Sequence, residues 1–146
     1  GNLSDKLTPD LKTAIKNSSY GTYEILTMAS LVEKEVSKDS DRAIVAGILW
    51  KRLKAGVPLQ VDATLVYITG RNEIGDTDKK IDSRYNTYFY RGLPKGPIAN
   101  PGLSAIKAAI YPEVSPYWYY LSAKDGTTIF SKTLEEHNRN RAIYLQ

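Results

Sequence analysis

Apolar side chains recur every three to four positions over residues 22–36, a spacing that predicts a helix. Thr22 stands where a hydroxyl can accept from the free N–H groups of a first turn. Each helical residue turns about 100° around the axis, so with Ala29 as reference Ile25, Leu26, Val32 and Val36 lie within roughly 60° of it. Glu33 falls on this stripe too, at about 40°, whereas Lys34 and Glu35 project toward the opposite side. A carboxylate on a core-facing stripe is costly unless it is paired, or unless its pKa rises and it stays protonated. The protonated form is what a general acid requires near neutral pH. The structural alternative is a Glu33 paired with an arginine.

Elsewhere the pattern alternates short helices with irregular stretches. Thr8 and Pro9 suit the cap and first position of a short helix. A second helix is expected over residues 42–54, with Val45, Leu49 and Leu53 inward, basic residues at its C-terminal end and Gly56 as its left-handed terminator. Gln60 and Asp62 share a face if residues 59–64 are extended. Asp62 can also cap a short helix over residues 63–68, which Gly70 ends. Residues 71–80 are charged and read as a mobile surface loop, and residues 83–90 as a strand with a tyrosine-lined face. Residues 91–102 hold three glycines and three prolines, so they form a loop of definite shape, the kind of loop that often belongs to a site. Asn100 and Pro101 then open a helix with Leu103, Ile106 and Ile110 inside. Residues 117–122 and 127–131 form a hairpin about Asp125-Gly126. A last helix over residues 134–145 starts with capping-box spacing at Thr133 and Glu136. Helices and short strands without βαβ alternation predict an α+β fold, several helices packed on a small, mainly antiparallel sheet.

Composition narrows the chemistry. The 146 residues are enough for one domain with a real core. There is no cysteine and a single histidine, His137, so disulfides, thiolate metal sites, zinc sites and a cysteine nucleophile are excluded or improbable. No Ser-His-Asp arrangement, phosphate loop or repeat is present. The net charge of +4 is spread without a basic run, which argues against a nucleic-acid partner. Eleven tyrosines against two phenylalanines and two tryptophans offer flat apolar faces with polar tips, suited to half-buried packing and to amphipathic ligands such as sugars. No apolar run could span a bilayer. Gly1 is not a natural start, so a targeting or anchoring segment is expected to precede it.

Six stretches, in order, resemble one family. They are Ala29-Ser30-Leu31-Val32-Glu33-Lys34-Glu35, Ala46-Gly47-Ile48-Leu49-Trp50-Lys51-Arg52-Leu53, Leu59-Gln60-Val61-Asp62-Ala63-Thr64, Ile81-Asp82-Ser83-Arg84-Tyr85-Asn86-Thr87-Tyr88, Gly92-Leu93-Pro94-Lys95-Gly96-Pro97-Ile98 with Asn100-Pro101-Gly102, and Phe130-Ser131-Lys132-Thr133 with Glu136-His137-Asn138. The set is similar to the YceG-like family of endolytic murein transglycosylases. Val61 and Ala63 depart from the family's usual Ser and Pro, and Lys95 from its Pro. The resemblance implies a catalytic domain over residues 23–146 preceded by a lead-in over residues 1–22. It implies a full-length protein held by one N-terminal membrane helix, working on the extracytoplasmic face of the bacterial cytoplasmic membrane. Its substrate would be nascent peptidoglycan strands, cut internally between N-acetylmuramic acid and N-acetylglucosamine, and its partners would include cell-wall synthases of the penicillin-binding class. The family's catalytic glutamate maps to Glu33, the carboxylate that the helical stripe also selects. No cofactor or metal is implied.

Such an enzyme needs one carboxyl group: it protonates the bridging oxygen, then takes the proton of the sugar's own C6 hydroxyl, leaving a 1,6-anhydro end. Gln60, Tyr85, Asn86 and Asn100 are the expected substrate-positioning side chains, with Asp62 as an auxiliary carboxylate. A lysozyme-like hydrolase would instead use Asp62 as its second carboxyl group. A non-catalytic glycan-binding module would keep the tyrosines and be indifferent to Glu33. An aminodeoxychorismate lyase would need pyridoxal phosphate, for which Lys34 is unsuited, since it points away from the apolar stripe.

Overall fold

The computed structural model describes residues 7–145. Residues 1–6 of the lead-in lie outside these, as does Gln146. The organising element is helix α2 (Thr22–Glu35), in which every residue from Ile25 to Val32 is buried. Even Thr27 and Ser30 are sealed, and their hydroxyls are satisfied locally: Thr27 donates to the Tyr23 carbonyl at 2.8 Å and Ser30 to that of Thr27 at 2.7 Å. Each fully buried aliphatic side chain contributes about 1.5–3 kcal/mol, so Ile25, Met28, Leu31 and Val32 make α2 the fixed reference of the molecule.

Around it pack α3 (Asp39–Lys54) and α5 (Leu103–Ile110), with α1 (Pro9–Asn17) inserting Leu11 and Ile15, and α4 (Asp62–Thr69) adding Leu65. Trp50 of α3 stacks on Tyr20 at 3.9 Å and donates its indole N–H to the Ala109 carbonyl at 3.0 Å. Gly47 allows the closest approach on this side, because a Cβ there would lie 2.0 Å from the Glu113 carbonyl oxygen. Strands β1 (Tyr119–Ser122) and β2 (Thr128–Ser131) form an antiparallel pair with Tyr119 opposite Ser131 and Ser122 opposite Thr128. Helix α6 (Leu134–Tyr144) lies against this hairpin and has no buried residue. The fold is α+β as expected, but its core is helix on helix. The sheet carries α6.

Several local expectations shift. Thr8 caps α1 as read, accepting from the Leu11 N–H at 3.2 Å. Thr22 is not a cap: Gly21 is, and its N–H donates to the Glu24 carboxylate at 3.1 Å. Helix α3 begins at Asp39, whose charge favours a helix N-terminus. Asp62 is the first residue of α4 and does not cap it; its carboxylate accepts from the Tyr88 hydroxyl instead. Asn100 and Pro101 lie before α5, which is capped by Gly102. The expected strand over residues 83–90 is a set of turns. The Asn86 carboxamide replaces a strand ladder there, donating to the Lys79 and Ile81 carbonyls at 3.1 and 2.8 Å and accepting from the Tyr88 and Phe89 N–H groups at 2.9 and 3.3 Å. Residues 71–80 are pinned by Asp78, which takes the Arg71 guanidinium at 2.6 Å and the Gly75 N–H at 2.9 Å.

Candidate active site

Two carboxylates close α2, and the fold treats them differently. Glu33 is divided between the two helices that flank it. Its Oε1 accepts the Gly102 N–H at 2.7 Å and its Oε2 the Arg42 guanidinium at 3.2 Å. Arg42 also donates to the Val36 carbonyl and to Asp39, both at 3.0 Å, and Ser104 donates to Asp39 at 2.9 Å. A Cβ on residue 102 would come within 3.1 Å of Glu33 Oε1, so a glycine suits this junction. This is the arginine-paired glutamate that the sequence left open as the alternative for Glu33.

Glu35 shares a smaller cavity of about 330 Å³ with Glu33 but also enters a cleft of about 610 Å³ that Glu33 does not line. There the Tyr120 hydroxyl donates to its Oε1 at 2.7 Å, while the Ser122 hydroxyl holds its backbone carbonyl at 3.4 Å. Burial pushes the Glu35 carboxyl up to about 7, the Asp62 charge adds to this, and the hydrogen bonds from Tyr120 and the Ala63 backbone draw it back. Tyr120 is itself held protonated, first by burial and then by the neighbouring Glu35. The expectation that Glu35 faces away from the interior is therefore corrected. The helical wheel assumes one buried face, but residues 25–32 of α2 are buried all round, and Tyr120 of β1 reaches Glu35 beyond them.

The structure brings Gln60 and Asp62 into the same cleft as Glu35. Gln60 has φ +53°, a left-handed conformation that costs a non-glycine residue about 1 kcal/mol or more. It is clamped there by hydrogen bonds from its own N–H to the Thr87 carbonyl at 3.2 Å and from the Val61 N–H to the Thr87 hydroxyl at 2.9 Å. The other three predicted side chains are not brought into the cleft. Asn86 is 1 % exposed with its carboxamide committed to the backbone, so it cannot touch a bound strand. Tyr85 packs on Tyr67 at 4.8 Å, on the side of the molecule where Tyr23 meets the Gly96 loop. Asn100 is exposed beside the Gly102 junction with Glu33.

Sequence reasoning missed Tyr88, Trp118, Tyr119 and Tyr120, which line the cleft, and His137 and Arg141 of α6, which close it. The signal was the aromatic run at 117–120, read only as strand packing. Arg52 reaches the cleft from behind, donating to the Pro58 carbonyl at 2.8 Å and that of Trp118 at 3.0 Å. The His137 ring stacks on Tyr119 at 5.0 Å, and its Nδ1 is buried with no partner among the described residues. Burial, then the charges of Arg141 and Arg52, hold His137 below the usual histidine range.

An α+β domain with a protonatable carboxyl in an open aromatic cleft is what fold and site together define. The chain belongs to the YceG-like family, whose profile matches residues 2–143. It is 40 % identical over 136 residues to an endolytic murein transglycosylase of Bacillus subtilis strain 168, covering 92 % of this chain and 38 % of that protein. An endolytic murein transglycosylase of Streptococcus pneumoniae serotype 2 is 35 % identical over 151 residues, covering 98 % of this chain and 27 % of its own length. A crystal structure of a YceG-like protein from Listeria monocytogenes superposes with a TM-score of 0.85 at 41 % identity, over 89 % of this chain and 43 % of that one. The chain thus spans less than half the length of each.

Proposed function

We propose that this domain cleaves murein glycan strands internally as a lytic transglycosylase, with Glu35 rather than Glu33 as acid and then base. The observation that carries the reading is a carboxyl group raised to about 7, set among tyrosines in an open cleft, in a chain whose relatives are named endolytic murein transglycosylases. Near neutral pH such a group is protonated in a large share of molecules and is a carboxylate in the rest. It can therefore give a proton to the oxygen between N-acetylmuramic acid and N-acetylglucosamine as the C1–O bond breaks. The carboxylate left behind then takes the proton of the C6 hydroxyl, whose oxygen closes on C1. The donated proton is recovered, no water is consumed, and the new end is a 1,6-anhydro sugar. Asp62, in the same cleft, would stabilise positive charge developing at C1.

Glu33 serves this reading by position. Its bonds to Gly102 and Arg42 tie the last turn of α2 to α5 and α3, and so fix the backbone from which Glu35 projects. Action on the cell wall would lie outside the cytoplasmic membrane; no helix among the described residues is long and apolar enough to cross one.

A second reading has one specific observation behind it. Asp62 is near enough to Glu35 to raise its pKa, and a pair of carboxyl groups at one site is the usual equipment of a glycoside hydrolase. Mass spectrometry of murein digested with the domain separates the two. Anhydro-muramic ends, one water lighter than reducing ends, are expected; reducing ends as the main product would transfer the assignment to hydrolysis.

A further inference from the structure

The cleft lining holds the carboxyl groups of Glu35 and Asp62 together with basic side chains. Tyr88 touches both kinds: its hydroxyl donates to Asp62, while the Lys79 ammonium lies 5.0 Å from the centre of its ring. Helix α6 contributes His137 and Arg141 to the same lining. The Arg141 side chain is exposed and has no hydrogen bond or ion pair among the described residues, although its charge is felt by both Tyr88 and His137. Lys79 has one carboxylate neighbour, the fully exposed Asp76 at 3.6 Å, a pairing that water screens. Arg52 adds positive potential behind Tyr119, 5.2 Å from that ring, but its own N–H groups are spent on carbonyls. In His137 the shielded Nδ1 has no hydrogen-bond partner among the described residues, so the less costly neutral form keeps its proton on Nε2 and presents a donor. The mechanism above uses none of these groups.

We propose that Arg141, His137 and Lys79 form a carboxylate-binding subsite for a substituent of the glycan whose backbone lies across Glu35. The proposal rests on the murein reading given above. An open guanidinium offers a bidentate fork to a carboxylate, and a neutral imidazole N–H and an ammonium whose one carboxylate neighbour is screened by water complete three donors. Murein carries carboxylates from one of two sources at each muramic acid: the stem's own carboxylates where a stem is attached, since its first amide bond uses the lactyl carboxyl, or the free lactyl carboxylate where the stem has been removed. Polymers of N-acetylglucosamine carry neither. The subsite would thus select muramic strands and set which sugar falls across the acid.

The test measures binding by Glu35→Gln protein, so that ligands are not consumed, at low ionic strength. The ligands are chitopentaose, amidase-stripped murein glycan with free lactyl carboxylates, and murein glycan bearing its stems. At least one carboxylate-bearing glycan is expected to bind about tenfold tighter than chitopentaose, an advantage lost when Arg141→Gln and Lys79→Gln are combined and circular dichroism shows the fold intact. A gain confined to the amidase-stripped glycan assigns the lactyl carboxylate, a gain confined to the stem-bearing glycan assigns the stem, and equal gains show that the subsite takes either carboxylate. Equal binding of all three, no binding of any, or an advantage that survives the double substitution overturns the subsite. Failure of the murein reading is seen separately, as failure of the unsubstituted protein to cut strands.

Discussion

Glu33 and Glu35 lie two positions apart on one helix, yet one end of α2 makes them different chemical objects. Glu33 is bonded to a guanidinium and a backbone N–H. Glu35 meets a tyrosine hydroxyl, apolar ring faces and a like charge, and its ionisation is held back to about 7. The residue type is the same and the environment differs: a carboxylate bonded to a cation fastens helices together, and one buried without a cation holds its proton more tightly.

The sharpest way to break this comparison is to substitute the two in parallel. Glu35→Gln is expected to lower strand cleavage by about 10²–10³-fold or more, with the fold retained, because the amide keeps the shape and has no acidic proton. Glu33→Gln is expected to cost about 1–3 kcal/mol of stability by leaving Arg42 under-compensated, with activity per folded molecule within about tenfold of the parent. Cleavage assays beside chemical denaturation decide it, and the reverse pattern would return the catalytic assignment to Glu33. Asn86→Ala comes next. It strips partners from four backbone groups and should cost about 2–3 kcal/mol, while the folded fraction continues to cut.

A third test uses pH. The folded-state pKa of Glu35 lies above its unfolded value, so the folded form binds the proton more tightly, and stability attributable to this group falls as pH rises from about 4.5 to about 7. Glu35→Gln removes that dependence. The substituted protein should gain on the order of 1–2 kcal/mol relative to the parent at pH 8, and little or nothing at pH 4. The smallest effect is expected for Tyr120→Phe. Deleting a hydrogen bond that favours the Glu35 carboxylate should move the alkaline limb of the cleavage profile up by about half a unit to one unit.

Much of the fold could be read from the chain. The spacing in α2, the Thr8 cap, the glycine at position 56 with φ +73° and the hairpin about Gly126 all follow local rules, and the structure obeys them. The site was legible only in part. Gln60 and Asp62, which the sequence set on one face, do line the cleft with Glu35. Asn86 was misjudged because a carboxamide among aromatics looks the same on paper whether it faces a ligand or four backbone groups. Glu33 was preferred over Glu35 because a wheel has one inside. A helix surrounded by neighbours has several, and which carboxylate is left without a cation depends on residues 7, 9 and 85 positions away, at Arg42 and Tyr120. Local periodicity carries no information about them.

The bareness of α6 has a consequence for how the cleft moves. Among the described residues, Glu35 ends the most enclosed segment of the chain, while His137 and Arg141 ride on a helix that buries none of its residues and is held against the hairpin by contacts such as the Tyr119 stack. Elements with few buried contacts open at far lower free energy than the segments around which a domain condenses. One wall of the cleft is thus anvil and the other hinge. On the reading proposed above, a strand bound by its middle brings no free end to lead it in, and α6 is the wall with the fewest buried contacts to resist its entry.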